Sequence, residues 1–357
     1  MAKIPNVPTP PTESTEDLQM SLHNKQWLLT SRATGEPTPE HFKLVEVEVP
    51  DLQDGEVLVR HHYLSLDPYM RGRMMDSKSY ATPQPLNEVM IGGTVGEVAA
   101  SKNPAFAVGD PVVGMGGWQL YQRLAAAELG NLRKVDTNRI PLSAYLGAVG
   151  MPGVTAWYGL NRIIEPKAGK TVVVSAASGA VGGTAGQLAK VRGARAVGIA
   201  GGPDKCRYVT QELGFDACID YKQHPDLKSL SQALKEACPD GIDGHFENVG
   251  GMILDAVLLH SNSFARVALC GMISRYGHPI PITQTLHILM NRMRLEAFVI
   301  TEHMEVWPDA LKELGALVAT GKLTYRETVS QGLETAPEAL MGLFKGRNFG
   351  KQLVKLV

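Results

Sequence analysis

Thr171–Ala176 (TVVVSA) is an unbroken apolar run, the pattern of a strand buried on both faces. The chain after it alternates between two periods. Helical spacing is expected over Val181–Arg192, Lys205–Leu213, Leu227–Ala237 and Ile253–His260. Apolar strands are expected at Ala194–Ala200, Ala217–Asp220, Gly244–Glu247, Arg266–Gly271 and Leu295–Thr301. Six strands alternating with helices predict an α/β fold with a doubly wound parallel sheet. Before Gly150 the texture differs. Lys43–Val49 (KLVEVEV) alternates apolar and polar positions, and Glu56–Ser65, Gly92–Ala100 and Asp110–Gly114 are strand-like runs separated by Gly and Pro. They predict a small, partly closed β domain. After the sixth strand, Trp307–Thr320 reads as an amphipathic helix and Lys351–Val357 (KQLVKLV) as a terminal strand. With the parallel sheet complete, this tail is expected to fold back onto the first domain. Residues 1–19, rich in Pro, Thr and Glu, read as a flexible tail, with order starting near Met20.

The chain has 357 residues, 44% hydrophobic and 20% charged, enough to bury two cores. Its 35 Lys and Arg stand against 36 Asp and Glu. That balance removes the electrostatic case for nucleic acid or an anionic membrane as partner. The sequence has no apolar run long enough to span a bilayer, and no apolar core in its first residues that would make a signal peptide. A cytoplasmic location is the expectation. The four cysteines (Cys206, Cys218, Cys238 and Cys270) include no CxxC and all lie in the second half, so neither a disulfide scaffold nor a cysteine zinc site is expected. His61 and His62 are the one tempting metal pair. Neighbours on a strand point to opposite faces, so no metal site is expected there either.

The first buried strand runs into Ala177-Ser178-Gly179-Ala180-Val181-Gly182, a G-x-G-x-x-G fingerprint with Ala in the first position. Gly179 would let backbone approach a pyrophosphate, Gly182 would let the helix pack closely on the strand, and N–H groups at the helix start would hold the phosphate. The second strand ends Ala200-Gly201-Gly202, without the acid that reads a ribose 2′-hydroxyl. Lys205 follows, where its ammonium could pair with a 2′-phosphate. The expected coenzyme is therefore NADPH rather than NADH.

The stretches Leu64–Met74 (LSLDPYMRGRM), Gly150–Tyr158 (GMPGVTAWY), Ala176–Gly186, Phe246–Gly251 (FENVGG), Cys270–Tyr276 (CGMISRY), Glu296–Ile300 (EAFVI) and Asn348–Lys351 (NFGK) are long and unusual in composition. Through them the chain resembles the zinc-free medium-chain dehydrogenases/reductases, in the branch of the leukotriene/15-oxoprostaglandin 13-reductases and bacterial curcumin and double-bond reductases. The resemblance implies a GroES-like catalytic domain (residues 20–149 with 302–357), a Rossmann domain carrying NADPH (150–301), an active site in the cleft between them, and a homodimer. It implies that Gly179, Ala180, Val181 and Gly182 hold the pyrophosphate, and that Lys205 and Tyr221 contact the phosphorylated adenosine end. Asn248 and the segment Cys270, Gly271, Met272, Ile273, Ser274 and Tyr276 would lie along the ribose and nicotinamide. Phe298, Val299, Ile300 and Asn348 would close the far side, and Thr155 would approach the nicotinamide.

Zinc alcohol dehydrogenases of this architecture place a Cys after the early strands, where this chain has Leu66-Asp67-Pro68-Tyr69, and no Cys precedes Cys206. Without a Lewis acid, reduction of an isolated ketone loses its oxyanion stabiliser. An α,β-unsaturated ketone or aldehyde needs less, because hydride added at the β-carbon leaves an enolate that a hydroxyl donor can stabilise. Tyr276 is the leading donor candidate and Tyr69 the second, each a phenol that stays neutral at pH 7. Arg71 and Arg73 read as braces of the loop between domains, and Cys270 as a small residue beside the coenzyme. Leu286, Ile288, Leu289 and Met290–Met293 read as ordinary core, ahead of a substrate wall or a dimer contact. The expectation is an NADPH-dependent reductase of activated C=C bonds acting on a small apolar enone. The alternatives are a quinone reductase of the same superfamily and a non-catalytic NADPH-binding protein of the crystallin-like kind.

Overall fold

Every residue of Thr171–Ser175 is buried, as its apolar run requires, and this strand sits inside a six-stranded parallel sheet. The computed structural model describes residues 22–275 and 279–357, the Arg275 side chain excepted. Counted along the chain, the sheet comprises Thr171–Ser175, Arg195–Ala200, Ala217–Asp220, Ile242–Glu247, Ser261–Leu269 and Arg294–Ala297, in the spatial order third, second, first, fourth, fifth, sixth. The order reverses between the first and fourth strands, and that switch point opens a crevice at their carboxyl ends. The helices Ala180–Val191, Leu227–Ala237 and Met252–Leu258 cover the two faces, with separate apolar clusters on each side.

All six expected strands are present; Ala217–Asp220 keeps its expected bounds and the other five shift at their ends. The sixth stops at Ala297, and Ile300–Glu302 turns as a 3₁₀ helix rather than extending the strand to Thr301. The segment expected as one helix from Lys205 begins as the α-helix Pro203–Arg207 and widens into a π-turn over Tyr208–Glu212.

The residues before Gly150 form two antiparallel systems. His23–Leu29 pairs with Phe42–Glu48 and, briefly, with Glu88–Val89. Val57–Leu66 is the spine of a seven-stranded sheet, paired with Thr94–Ser101 and Tyr121–Leu124. The terminal strand Lys351–Lys355 returns to this spine, pairing antiparallel with Leu66–Tyr63 and parallel with Glu327–Gln331. The tail thus folds back as its position after a finished sheet implied.

One expectation fails. Ile288 and Met293 pack into a small cluster under the fifth strand, but Leu286, Leu289 and Met290 are 63%, 74% and 57% exposed on the helix Thr285–Met290. The helix packs against the sheet through Ile288 and turns its other apolar side chains to solvent.

Candidate active site

Leaving the first strand, Ala176 adopts φ +49°, a left-handed turn rare outside Gly, and its carbonyl accepts a hydrogen bond from Gly179 N at 2.9 Å. Gly179 is extended and caps the helix Ala180–Val191. A Cβ at Gly182 would fall 2.4 Å from Ala176 O, so only glycine permits this approach of helix to strand. The first N–H groups of such a helix have no intrahelical acceptor and face the turn, the arrangement that receives a phosphate. The turn also touches the C-terminal segment, where Gly350 N donates to Ser178 O at 2.9 Å.

At the tip of the second strand, the side chains of Tyr221 and Lys222 lie over Gly201, where a Cβ would meet Tyr221 Cε1 at 2.9 Å and Lys222 Cε at 3.1 Å. Lys205 Nζ donates to Gly346 O at 2.7 Å and lies 5.5 Å from the centre of the Phe349 ring. Burial lowers its pKa, and Lys222 lowers it further. The acids nearby are committed. Asp204 pairs with Arg207, and Asp220 accepts from Gly202 N at 2.7 Å and Lys222 N at 3.1 Å. The corner therefore carries two ammonium groups, and Lys222 is a member that the sequence reading missed.

The carboxyl end of the fourth strand carries a buried network. Glu247 Oε1 accepts from Ser175 Oγ at 2.7 Å and Gly250 N at 3.0 Å, and also from Val249 N. Its Oε2 lies 2.9 Å from His245 Nε2, while His245 Nδ1 bonds Val173 O at 3.0 Å. Burial alone would raise the Glu247 pKa; His245 and these hydrogen bonds outweigh it and hold the carboxyl low. Asn248 donates through N to Ser175 Oγ and through Nδ2 to Ser175 O, both at 2.8 Å. Cys270 N and Gly271 N donate to Glu247 O, and Ile273 N and Ser274 N to Asn248 O and Val249 O. The network thus ties Asn248 to the segment Cys270–Ser274, Met272 included. Burial pushes the Cys270 thiol up to about 12, with Glu247 adding to the shift, so it is neutral at pH 7. Tyr276 lies outside the described residues.

The remaining candidate residues lie on other elements. Thr155 is buried in the helix Met151–Tyr158 with its hydroxyl donating to Met151 O at 2.7 Å. Phe298 packs 5.1 Å from the Tyr158 ring, ahead of Val299 and the buried Ile300. Asn348 Nδ2 donates to Gly350 O at 2.8 Å.

Where the strand Val57–Leu66 ends, Asp67 and Lys351 form a buried ion pair at 2.9 Å, completed by Lys351 Nζ donating to Leu66 O at 2.6 Å and by Ser65 donating to Asp67. Two stretches nearly three hundred residues apart, LSLDPYM and NFGK, meet in this pair. Tyr69, just past it, lines a cavity of about 190 Å³ with Arg73, Ser77, Lys78 and Tyr80. Burial first, and Asp67 second, raise the Tyr69 pKa far above its usual value, so the phenol keeps its proton. Arg73 donates to Thr82 O at 2.6 Å and pins the loop, while Arg71 donates to Gly35 O. The Tyr80 side chain is largely exposed, and its pKa is raised, burial first, with the Arg73 charge opposing the shift. No residue pattern marks Tyr80 in the sequence. Among the described residues, no three His, Cys, Asp or Glu side chains converge as metal ligands would.

Comparison with known proteins agrees with this geometry. Residues 25–132 match the N-terminal domain of oxidoreductases, and residues 180–316 match the zinc-binding dehydrogenase domain. The chain is 43% identical to the NADPH-dependent curcumin reductase of Escherichia coli, over 95% of this chain and 98% of the relative. It is 40% identical to prostaglandin reductase 1 of Bos taurus, over 94% and 99%. The crystal structure of CurA in complex with NADPH from Vibrio vulnificus superposes with a TM-score of 0.85 at 42% identity, over 93% and 99%. On these matches and the strand order of its parallel sheet, the chain belongs to the medium-chain dehydrogenase/reductase family, in the branch of the curcumin and prostaglandin reductases.

Proposed function

We propose that this protein is an NADPH-dependent oxidoreductase that reduces the activated C=C bond of α,β-unsaturated ketones and aldehydes. The observation that carries the reading is the corner of Gly201, Lys205, Tyr221 and Lys222, whose neighbouring acids Asp204 and Asp220 are already paired, beside a glycine turn that only glycine can make. The likeness over more than nine-tenths of the chain to an NADPH-dependent curcumin reductase, an NADP-dependent 2-alkenal reductase and a prostaglandin reductase supports it. In this reading the Gly179–Gly182 turn receives the pyrophosphate, and Lys205 leaves Gly346 O for the 2′-phosphate. Asn248 and Cys270–Ser274, braced by Glu247, line the nicotinamide ribose. Thr155, Phe298–Ile300 and Asn348 complete the binding surface. When bound, the coenzyme supplies a hydride for the substrate's β-carbon.

The chain's own part in the chemistry is to bind, orient and donate. Tyr276 and Tyr69 offer neutral hydroxyls to the substrate carbonyl oxygen, where negative charge develops. The buried Asp67–Lys351 pair holds the turn that presents Tyr69. No metal takes part in this scheme. The division at residues 150 and 302, a cytoplasmic location and a homodimer belong to the same reading. The dimer is supported by the outer edge of the sixth strand and the apolar Leu286, Leu289 and Met290 beside it. Light scattering on the purified protein tests it, and a monomeric mass would reject it.

The deciding assay compares NADPH oxidation with an enone and with a saturated ketone of equal size. Turnover of the enone alone is expected; turnover of the ketone alone rejects the reading. Tyr276→Phe removes one hydroxyl and should lower kcat about tenfold or more. Unchanged kinetics would clear Tyr276 of the donor role.

A further inference from the structure

Cys206, on the helix Pro203–Arg207, and Cys218, on the third strand, face each other with their sulfurs 2.7 Å apart. Both are free thiols and both are partly exposed, unlike the buried Cys238. A disulfide has an S–S distance of about 2.05 Å, so bonding them requires an approach of about 0.7 Å. The pair is asymmetric. Contact with Cys218 lowers the Cys206 pKa, while contact with Cys206 and burial raise that of Cys218. That is the division of labour between an attacking thiolate and a resolving thiol.

The surroundings give such a bond a consequence. Lys205 immediately precedes Cys206. Asp220, Tyr221 and Lys222 follow Cys218 within four residues, and Asp220 holds Gly202 N. Lys205 is docked on Gly346 O, and taking up a phosphate would shift its side chain and the short helix that carries it. Tethering its helix to the third strand would restrain that movement.

We propose that Cys206 and Cys218 form a redox modification site at which a hydroperoxide drives closure of an intramolecular disulfide, and that the closed form holds NADPH less tightly. The Cys206 thiolate attacks one peroxide oxygen, the O–O bond breaks, and the leaving oxygen departs as an alcohol or water after taking up a proton. Cys206 is then a sulfenic acid. The Cys218 sulfur displaces its oxygen, which leaves as water with the Cys218 proton. Two thiols have lost two electrons and two protons, and the hydroperoxide has been reduced. The effect on affinity rests on the coenzyme reading above; the disulfide itself does not.

The test treats the purified wild-type protein, Cys206→Ser and Cys218→Ser with hydrogen peroxide, then blocks remaining thiols and maps peptides by mass spectrometry. A cross-linked peptide pair joining residues 206 and 218 is expected in the wild type, about 2 Da below the sum of the reduced peptides, reversed by dithiothreitol and absent from both variants. Fluorescence titration should show NADPH bound about tenfold more weakly after oxidation of the wild type, with NADH little changed and peroxide-treated Cys218→Ser unaffected. Absence of the cross-linked pair overturns the proposal, as does a cross-link that leaves NADPH affinity unchanged. A reduced protein that does not bind NADPH refutes the coenzyme reading and with it the effect on affinity; the peptide map separates that result from failure of the disulfide.

Discussion

At Gly182 the demand on a single residue is steric and local. A methyl group there would stand 2.4 Å from a backbone carbonyl that cannot move without unwinding the turn. Gly182→Ala should cost about 1–3 kcal/mol of stability, read by denaturant unfolding, and should weaken NADPH binding in titration. Wild-type stability would show that the helix start has more room than its geometry states. Lys205 is the opposite case, a residue whose role depends on charge rather than shape. Lys205→Ala removes a half-buried ammonium that follows the acid-free end of the second strand by three residues. NADPH should bind about tenfold or more weakly, with NADH nearly unaffected. Equal losses for both coenzymes would place Lys205 away from the 2′-phosphate. Both residues stood out in the sequence because the turn and the strand tip are built from consecutive residues. Tyr80 and Lys222 did not, because nothing in their neighbours announces that one will line a cavity with Tyr69 or that the other will cover Gly201.

Among the elements, the terminal strand Lys351–Lys355 binds the two halves of the chain together. Its first residue buries an ammonium against Asp67, and its backbone pairs with Val57–Leu66. A buried charge stripped of its partner is far more costly than one never buried. Lys351→Met should therefore cost about 3–5 kcal/mol in denaturant unfolding, and adding Asp67→Asn should recover part of the loss. Additive losses in the double variant would mean that the pair is not coupled. The expectation that this segment folds back was available from the completed parallel sheet. The pairing partner and the ion pair were not, since a strand pattern states which face is apolar and not which edge it joins. The helix Thr285–Met290 shows the same gap, its apolar run being read as core when three of its side chains stand in solvent.

Stability of the whole molecule should carry an acid signature from His61. Its ring is buried in the spine strand, with Nδ1 2.9 Å from Gln119 O. Its Nε2 has no hydrogen-bond partner among the described residues, and a Cβ at Gly116 would sit 2.3 Å from it. Burial lowers its pKa to about 4 from 6.5. The unfolded chain takes up the proton first, so this contribution is complete above pH 6.5 and drains as pH falls toward 4. The total is about 3 kcal/mol. Unfolding free energies of the wild type and His61→Gln should converge across that window; a constant difference would mean that His61 titrates normally in the folded protein.

The sequence by itself determined whatever depends on neighbours along the chain. The alternation of periods required a parallel α/β sheet of six strands. The turn at Gly179–Gly182 required a close helix approach, and the missing acid at Gly201–Gly202 pointed to a phosphorylated coenzyme. These are short-range properties, readable because side-chain spacing and backbone freedom act within a few residues. Only the tertiary structure decided who meets whom. It joined Asp67 to Lys351, Ser175 to His245 through Glu247, Lys205 to Gly346, and Cys206 to Cys218. The energy of a charge, thiol or amide is set by its partner and by the water it has lost. Both are fixed by packing between segments far apart in the chain, and no local pattern encodes them.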